Sequence, residues 1–455
     1  MADRSTTSLA ATAAVGGFLF GFDTAVINGA VGALAQRFQA GELAVGLTVS
    51  AALPGCALGA YLAGGFADRH GRIRTMVTAA AIFVASGVLS GACFSLWDLA
   101  LWRALGGVAI GVASVIGPAY IAEIAPADQR GRLGSLQQLA IVTGIFVALL
   151  GDYVLARVAG SAQAELLGLP AWRWMFWSEV LPAVVYGAGA LALPESPRWL
   201  VAQRRDDEAR RVLTALGDGS PDARIDQIRA TLGQERPATM ADLRGDTWGL
   251  RAIVWVGLAL AVLQQLVGIN VIFYYSSVLW EAVGFSERDA LAVTVITSVT
   301  NIVTTFVALA TIDRFGRRPL LLIGSAVMAV SLGAMAFLFA GAVPDAAGHL
   351  HLSHANGIGA LVAANLFVFA FGFSWGPVVW VLLGEMFPNA IRAQAMSVAT
   401  SAQWVANFAV SVSFPLLQRL GLGLAYGLYA VAAAASFVVV LRAVPETRGK
   451  ELESM

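Results

Sequence analysis

Charged residues are scarce in this sequence, and cysteine is nearly absent. Only 13% of the 455 residues are charged, against about 25% in soluble globular proteins. The 29 basic and 29 acidic residues cancel, so the broad positive field that a nucleic-acid partner needs is missing. The two cysteines, Cys56 and Cys93, lie in apolar runs, where thiols pack as small hydrophobic groups. We therefore expect no nucleic-acid partner, no disulfide and no cysteine metal site.

Hydrophobic residues make up 58% of the chain, more than a soluble core accounts for. Runs of about 20 apolar residues, the length that crosses about 30 Å of hydrocarbon, predict twelve transmembrane helices. The runs are continuous rather than alternating, which excludes the strands of a membrane barrel. The predicted spans are 9–31, 43–67, 75–95, 97–125, 133–155, 172–194, 252–280, 289–312, 319–342, 357–384, 393–418 and 421–444. The sequence thus predicts an all-α membrane protein.

The distribution of arginine predicts the orientation of these spans. With the amino terminus inside and the long loop at 198–251 left out, the inner segments hold 13 basic residues and the outer segments 5. Cytoplasmic loops of membrane proteins carry such an excess. We expect both termini in the cytoplasm, and the use of Arg in place of Lys together with many Ala residues suggests a bacterial inner membrane.

Internal repeats divide the chain into two similar halves. DRHGRIR at Asp68 matches DRFGRRP at Asp313, EIAPADQR at Glu123 matches EMFPNAIR at Glu385, and PESPRWL at Pro194 is echoed by PETRGKE at Pro445. Duplicated six-helix units are a transporter architecture. The predicted domains are a six-helix half at 1–194, a cytoplasmic linker with short helices at 195–250, a second six-helix half at 251–444, and a cytoplasmic tail at 445–455.

These motifs, with QQLVGINVIFYY and WGPVVWVLLGEMFPNAIR, resemble those of the sugar porter family of the major facilitator superfamily. The resemblance covers essentially the whole chain. It implies the major facilitator fold and transport of a monosaccharide by alternating access, with no cofactor other than a coupling proton. One departure is Ile73, where the family motif normally has a second basic residue.

Two ionisable residues stand inside predicted spans at similar depth. Asp23 lies about eight residues before the outer end of span 1, and Arg103 about six residues after the outer start of span 4. A charged group at that depth costs several kcal/mol and needs a partner and a task. We predict that the two meet and couple transport to a proton. The segment GFLFGFDTAVING resembles helix 1 of the family. The resemblance implies that Asp23 stands where proton-coupled members carry Asp and facilitative members commonly carry a neutral residue. The alternative is a static ion pair between the two helices.

Neutral amides and aromatic rings, which suit the hydroxyls and faces of a sugar, cluster in the second half. Gly268, between Gln265 and Asn270, predicts a local break in the helix, and Pro377 predicts a kink in span 10. The resemblance adds Gln138 from the first half. The predicted sugar-binding residues are Gln138, Gln264, Gln265, Asn270, Asn301, Gly376, Trp380, Gln403, Trp404 and Asn407, and the predicted gating aromatics are Phe20 and Tyr274. Glucose and xylose both remain possible substrates.

Arginine and carboxylate residues at the inner ends of the helices can form a second functional group. They can bridge neighbouring helices while the inner side is closed, and the resemblance implies that such pairs hold the outward-open state. The predicted gate comprises Asp68, Arg69, Arg72, Glu123, Arg130, Glu195, Arg198, Asp313, Arg314, Arg317, Glu385 and Arg392. The alternative is that these arginines only anchor the inner ends.

Three other functions are alternatives to proton-coupled import. A facilitative uniporter of the same fold is disfavoured by Asp23, and a non-transporting sugar sensor by the short tail. A membrane enzyme would need a reactive cluster, and none is evident in the sequence. His349, His351 and His354 in GHLHLSH could bind metal, but a solvated loop is the favoured interpretation. The expected partners are a monosaccharide and the lipid bilayer, with a monomer as the functional unit.

Overall fold

The structure is a computed structural model, which describes residues 6–125, 130–234, 240–341, 343–344, 350–388 and 391–446. The chain before the linker forms α1 (Thr6–Arg37), α2 (Glu42–Ser50), α3 (Ala52–His70), α4 (Arg72–Ala92), α5 (Leu96–Ile124), α6 (Arg130–Ala159), α7 (Ala171–Ser178) and α8 (Val180–Leu191). The linker forms α9 (Pro197–Ala202), α10 (Asp206–Ala215), α11 (Pro221–Gln234) and a 3-10 turn (Met240–Leu243). The second half forms α12 (Ala252–Leu266), α13 (Ile269–Tyr274), α14 (Ser276–Ala282), α15 (Glu287–Phe315), α16 (Arg317–Ala340), α17 (His354–Phe373), α18 (Trp375–Met386), α19 (Arg392–Leu420) and α20 (Leu422–Ala443).

Short antiparallel strand pairs occur in two loops between helices. β1 (Glu165–Leu166) pairs with β2 (Leu169–Pro170), and β3 (Val343–Pro344) pairs with β4 (Leu350–His351). The linker helices enclose a small core of their own, made of Leu200, Val201, Ala209, Val212, Leu213 and Ile225. Such a core lets the linker fold as a helical unit outside the bundle, while the domain boundaries themselves stay a prediction.

Ten segments of the described chain are long and apolar enough to cross a membrane by length and composition. They correspond to ten of the twelve predicted spans. The remaining two predictions fall on α7 with α8, which are interrupted at Glu179, and on α19. α19 is 29 residues long, but polar side chains such as Gln403 and Asn407 lower its mean hydropathy. Both exceptions therefore arise where the helix carries polar residues of the candidate site.

Glycine pairs allow the helices of the first half to pack closely. Gly55 and Gly59 on α3 face backbone carbonyls of α5, while Gly107 and Gly111 on α5 face backbone carbonyls of α3. A side chain at any of the four would clash with that backbone. This is the small-residue packing by which membrane helices associate, and it sets the position of Arg103 on α5.

The predicted break near Gly268 is present, and the seventh predicted span consists of α12, α13 and α14, which we call the broken helix. Gly268 has φ +81°, and Tyr275 separates α13 from α14 with φ −125° and ψ 13°. A Cβ atom at Gly268 would lie 2.6 Å from the Tyr429 ring on α20. Both the backbone conformation and the space therefore require glycine at this position.

Replacing Gly268 with alanine is expected to lower the free energy of unfolding by about 1 to 3 kcal/mol, because a non-glycine residue is strained at this φ. The Cβ clash with Tyr429 adds to that strain. The measurement is the apparent Tm in detergent. Gly427→Ala is the matched control, because a Cβ there meets nothing within 4 Å. Equal Tm values for the two variants would contradict this account of the break.

The tenth predicted span is also interrupted, close to the predicted kink. Ser374 has φ −127° and ψ −87° and separates α17 from α18. Pro377 then occupies the first turn of α18, where its missing N–H costs nothing. Gln264 Nε2 donates to the carbonyls of Trp375 and Gly376, just after the interruption, at 2.7 and 3.4 Å.

Candidate functional site

The structure brings the predicted coupling pair together. Asp23 on α1 is 1% exposed and Arg103 on α5 is 2% exposed. Arg103 Nη2 lies 3.8 Å from Asp23 Oδ2, which is within ion-pair range but longer than a hydrogen bond. Arg103 also directs both terminal nitrogens toward the Asp23 backbone carbonyl at 3.5 Å. The pair is therefore buried but loosely held.

A third charged residue, Glu179, joins this pair and was not predicted. Glu179 is 1% exposed at the junction of α7 and α8, and its carboxyl group lies within hydrogen-bonding reach of the Asp23 carboxyl. Glu179 Oε1 and Asp23 Oδ2 have no donor partner among the described residues. With both acids ionised, the cluster of Asp23, Glu179 and Arg103 has a formal charge of −1. One proton shared by the two acids makes it neutral.

The signal for Glu179 is present in the sequence. SEVLPAVV places an acidic residue inside an apolar run, which is the same criterion that selected Asp23. Because the packing of α7 and α8 against α1 cannot be derived from one sequence, the contact of Glu179 with Asp23 required the structure.

Four of the predicted sugar-binding amides form one connected chain of hydrogen bonds. Asn270 Nδ2 donates to Gln265 Oε1 at 2.6 Å, and Gln265 Nε2 donates to Gln264 Oε1 at 3.2 Å. Gln403 Nε2 on α19 donates to the same Gln264 oxygen at 2.9 Å. Gln265 and Asn270 would point about 140° apart on an ideal helix of 100° per residue, so the break at Gly268 is what lets them meet. We call these four residues the amide chain.

Beside the amide chain, two buried polar atoms have no partner in the described part of the chain. They are Gln403 Oε1, an acceptor, and Trp404 Nε1, a donor. Buried polar groups in native proteins are normally satisfied. A ligand with several hydroxyl groups, each both donor and acceptor, would satisfy both atoms.

The predicted gating aromatics lie next to these atoms and join the two halves. The Phe20 ring on α1 contacts the Trp404 ring on α19, with centroids 5.8 Å apart. Tyr274, 5% exposed at the end of α13, is within hydrogen-bonding reach of Asn407, whose Oδ1 accepts from Ser411 at 3.2 Å. Phe20 is three residues, or about one helical turn, before Asp23. The aromatic contact thus connects the amide chain to the cluster of Asp23, Glu179 and Arg103, which we call the coupling cluster.

The other predicted sugar-binding residues are placed on the same helices or on their neighbours. Gly376 accepts a hydrogen bond from Gln264 through its carbonyl, and Trp380, one turn further on α18, is 38% exposed. Asn301 on α15 is 8% exposed, and Gln138 on α6 is half-buried. None of the hydrogen bonds described above includes Gln138, Asn301 or Trp380, so their contact with sugar stays a prediction.

Asn28 on α1, another residue absent from the sequence prediction, binds the broken helix. Its Nδ2 donates to the Phe273 carbonyl at 2.9 Å, and its Oδ1 accepts from the Ser277 N–H at 3.4 Å. Phe273 and Ser277 are four residues apart and would bond to each other in a continuous helix. The interruption at Tyr275 leaves both groups to the Asn28 amide, which therefore ties the first half to the second.

The predicted gate residues lie at the end of the bundle where α3 ends and α4 begins, which we call the motif end. Arg72 binds Glu123 through two hydrogen bonds of 2.9 and 3.1 Å and Asp68 at 3.2 Å. Arg317 binds Glu385 in the same way, at 2.9 and 3.1 Å. Both pairs join helices within one half of the chain, and their gating role stays a prediction.

Two further carboxylates cap the first turns of α4 and α16 at the motif end. Glu195 accepts from the backbone N–H groups of Arg72 and Ile73, at 3.0 and 3.2 Å. Glu446 does the same for Arg317 and Arg318, at 3.1 and 3.0 Å. Acidic groups stabilise helix amino termini in this way. Glu446 was not predicted, although the echo of PESPRWL in PETRGKE aligns it with Glu195.

The remaining gate residues with described side chains differ in exposure. Arg69 and Arg314 are exposed and Arg198 is half-buried. The side chains of Arg130, Asp313 and Arg392 lie outside the described residues, as do His349 and the side chains of His351 and His354. Cys56 and Cys93 are free and buried.

Comparisons with known proteins agree with this architecture over the whole chain. A family model described as Sugar (and other) transporter matches residues 9–455. A glucose transport protein of Synechocystis is 56% identical over 450 residues, 98% of this chain and 96% of that protein. The partially occluded inward open conformation of the xylose transporter XylE from E. coli has a TM-score of 0.84 at 34% identity, covering 98% of this chain and 99% of that one.

A further solved structure shows a related protein with a sugar analogue. The major facilitator superfamily proton:xylose symporter XylE bound to 6-bromo-6-deoxy-D-glucose has a TM-score of 0.80 at 35% identity, covering 98% of each chain. The chain belongs to the sugar transporter family and has the major facilitator fold. It is a multi-pass membrane protein of a transporter family, not an enzyme. The predicted family and fold class are confirmed.

Proposed function

We propose that this protein is a sugar:proton symporter that imports a monosaccharide across a bacterial inner membrane by alternating access. The observation that carries the proposal is the cluster of Asp23, Glu179 and Arg103, which becomes neutral by taking up one proton. Two carboxyl groups beside one arginine form a site that can bind one proton. Because the cluster is buried, an unbalanced charge on it is costly. A uniporter has no use for such a cluster, so the structure favours symport over the facilitative alternative.

The coupling step follows from the position of Phe20 between sugar and acid. Sugar bound at the amide chain would contact Phe20 and Trp404, and Phe20 lies one turn from Asp23 on α1. A movement of α1 that closes Phe20 over the sugar also moves Asp23 relative to Arg103 and Glu179. Proton uptake and sugar binding thereby favour the same arrangement of α1, which is how symport becomes obligatory.

Glucose is the substrate that the relatives and the site favour. The 56% identical relative is a glucose transport protein, and the solved symporter holds a glucose analogue. Ile145 on α6 and Phe273 on α13 are the apolar residues that we expect to face the exocyclic hydroxymethyl group of an aldohexose. Xylose lacks only that group and is the second candidate.

Several contacts between the halves lie at the end opposite the motif end. Besides Asn28, they include Glu287 Oε1, which accepts from the Ala162 N–H at 2.7 Å, and Arg419, which lies 3.6 Å from Glu42. The excess of arginine assigns the motif end and both termini to the cytoplasm. The opposite end is then periplasmic, and these contacts between the halves would hold that end closed. A single chain in the lipid bilayer contains the whole site, so the monomer is the functional unit, and no cofactor is needed beyond the proton.

Uptake into proteoliposomes tests the function. With an inward proton gradient, labelled glucose is expected to accumulate above its external concentration, with xylose transported less well. Collapsing the gradient with an uncoupler should reduce accumulation to equilibration. Equilibration at the same level with and without the gradient would identify a uniporter, and sugar binding with no flux would identify a sensor.

A further inference from the structure

A third buried carboxyl group, Asp152 on α6, is not part of the cluster of Asp23, Glu179 and Arg103. It is 1% exposed, and its Oδ2 accepts a hydrogen bond from the Gly29 N–H at 3.1 Å. Its other oxygen, Oδ1, has no partner in the described part of the chain. Gly29 is six residues from Asp23 along α1, about 9 Å toward the opposite end. A buried carboxyl group costs several kcal/mol inside a membrane, so its retention points to a task.

Asp152 binds the N–H group of one peptide unit, and the C=O group of the same unit binds the C-terminal half of the protein. Gly29 N–H and Asn28 C=O belong to the same planar peptide. The carbonyl accepts from Ser277 Oγ on α14 at 2.7 Å, while the N–H donates to Asp152. Hydrogen bonds on both sides of one peptide polarise and strengthen each other. This peptide, which we call the clamped peptide, is therefore held from α6 on one side and from α14 on the other.

The packing at Gly29 shows that the approach of α6 is specific. A Cβ atom on Gly29 would lie 2.6 Å from Asp152 Cβ and 2.8 Å from its Oδ2. Glycine is thus needed for the carboxyl group to reach the backbone. The side-chain amide of the adjacent residue, Asn28, bridges Phe273 and Ser277. The orientation of the clamped peptide therefore sets the direction of the Asn28 side chain.

We propose that Asp152 is a positioning residue for closure of the opposite end: it fixes the clamped peptide so that Asn28 binds the broken helix. This inference rests on the proposed function, because closure of that end is one step of alternating access. Asp152 acts through Asn28 and Ser277 and does not touch the sugar. The required chemistry is a hydrogen-bond acceptor at this point of α6, which asparagine can also supply.

Thiol labelling at the opposite end tests the proposal without relying on transport. Gly32 is one turn beyond Asn28, and its Cβ position is 3.9 Å from Glu281 Oε2 on α14. A cysteine at Gly32, which is half-buried, would lie against Glu281 while α1 and α14 are in contact, so its labelling rate reports their separation. Labelling by a membrane-impermeant maleimide is measured for Gly32→Cys alone and combined with Asp152→Asn, Asp152→Leu or Asp152→Ala. Native Cys56, buried in α3, reports any general loosening.

Asp152→Leu and Asp152→Ala are expected to raise the labelling rate at position 32 about tenfold, the factor for a lost hydrogen bond worth about 1.4 kcal/mol. Asp152→Asn should stay within about twofold of the parent, and Cys56 should stay unlabelled in all variants. Equal rates for leucine and asparagine would overturn the proposal. So would loss of folded protein in both apolar variants, or labelling of Cys56 in parallel, since either places Asp152 in general stability. A wild-type protein that does not transport sugar would refute the proposed function while leaving the labelling contrast intact.

Discussion

Asp23→Asn is expected to abolish proton-driven accumulation of sugar while sugar exchange continues. With one proton per sugar and no membrane potential, a gradient of one pH unit supports at most about tenfold accumulation. Asparagine removes one acid and leaves Glu179 and Arg103 as a neutral pair, so the cluster no longer takes up a proton when the site closes. The measurement compares uptake under a one-unit gradient with counterflow exchange in the same proteoliposomes. The accumulation ratio should fall to about one.

The matched control is Glu165→Gln, which removes an exposed carboxyl group on β1 and should leave accumulation unchanged. A tenfold ratio in Asp23→Asn would refute the role of Asp23. Loss of exchange together with accumulation would make Asp23 a structural partner of Arg103, which is the alternative interpretation of the pair.

Glu179→Gln separates the two acids of the cluster. If the proton is shared, this variant also leaves a neutral pair, Asp23 with Arg103, and loses accumulation as fully as Asp23→Asn. If Asp23 alone takes the proton, Glu179→Gln retains a gradient-dependent ratio above one. The two carboxyl groups are within hydrogen-bonding reach, so we expect the first result.

The sequence was sufficient where a local rule places a side chain along a helix. The depths of Asp23 and Arg103 follow from a rise of 1.5 Å per residue, and their contact is as expected. Gly268 predicted the break that lets Asn270 reach Gln265, because glycine is the residue that adopts a positive φ without strain. The break is a property of one helix. The depth of each charged residue depends only on its distance along the chain from the end of its own helix.

The sequence was insufficient where the partner lies far along the chain. Asn28 binds Ser277, 249 positions away, and Asp152 binds Gly29 across 123 positions. Asp152 meets the same criterion as Asp23, an acidic residue inside an apolar run, but a single Asn or Asp in a span does not reveal which neighbour faces it. The ion pairs at the motif end show the same limit. The repeats identified Arg72, Glu123, Arg317 and Glu385, but only the packing shows that each pair stays within its own half.

Gln264→Ala is expected to weaken sugar binding about 100-fold, because Gln264 is the centre of the amide chain. Its Oε1 accepts from Gln265 and Gln403, and its Nε2 donates to the Trp375 carbonyl. Alanine leaves these three groups without their partner, and each unsatisfied buried group costs about 1 to 3 kcal/mol. Gln403, with its unpaired Oε1, then has nothing to hold it toward the sugar. The Kd is measured by isothermal titration of purified protein with glucose.

Gln36→Ala, which removes an exposed amide near the end of α1, is the control for amide loss in general and should bind glucose as the parent does. The apparent Tm of each variant separates a lost ligand contact from a lost fold: Gln264→Ala should bind weakly while still unfolding cooperatively. Unchanged glucose affinity in a folded Gln264→Ala protein would move the sugar site away from the amide chain. The unpaired Trp404 Nε1 would then need another ligand, and the link from sugar through Phe20 to Asp23 would be lost with it.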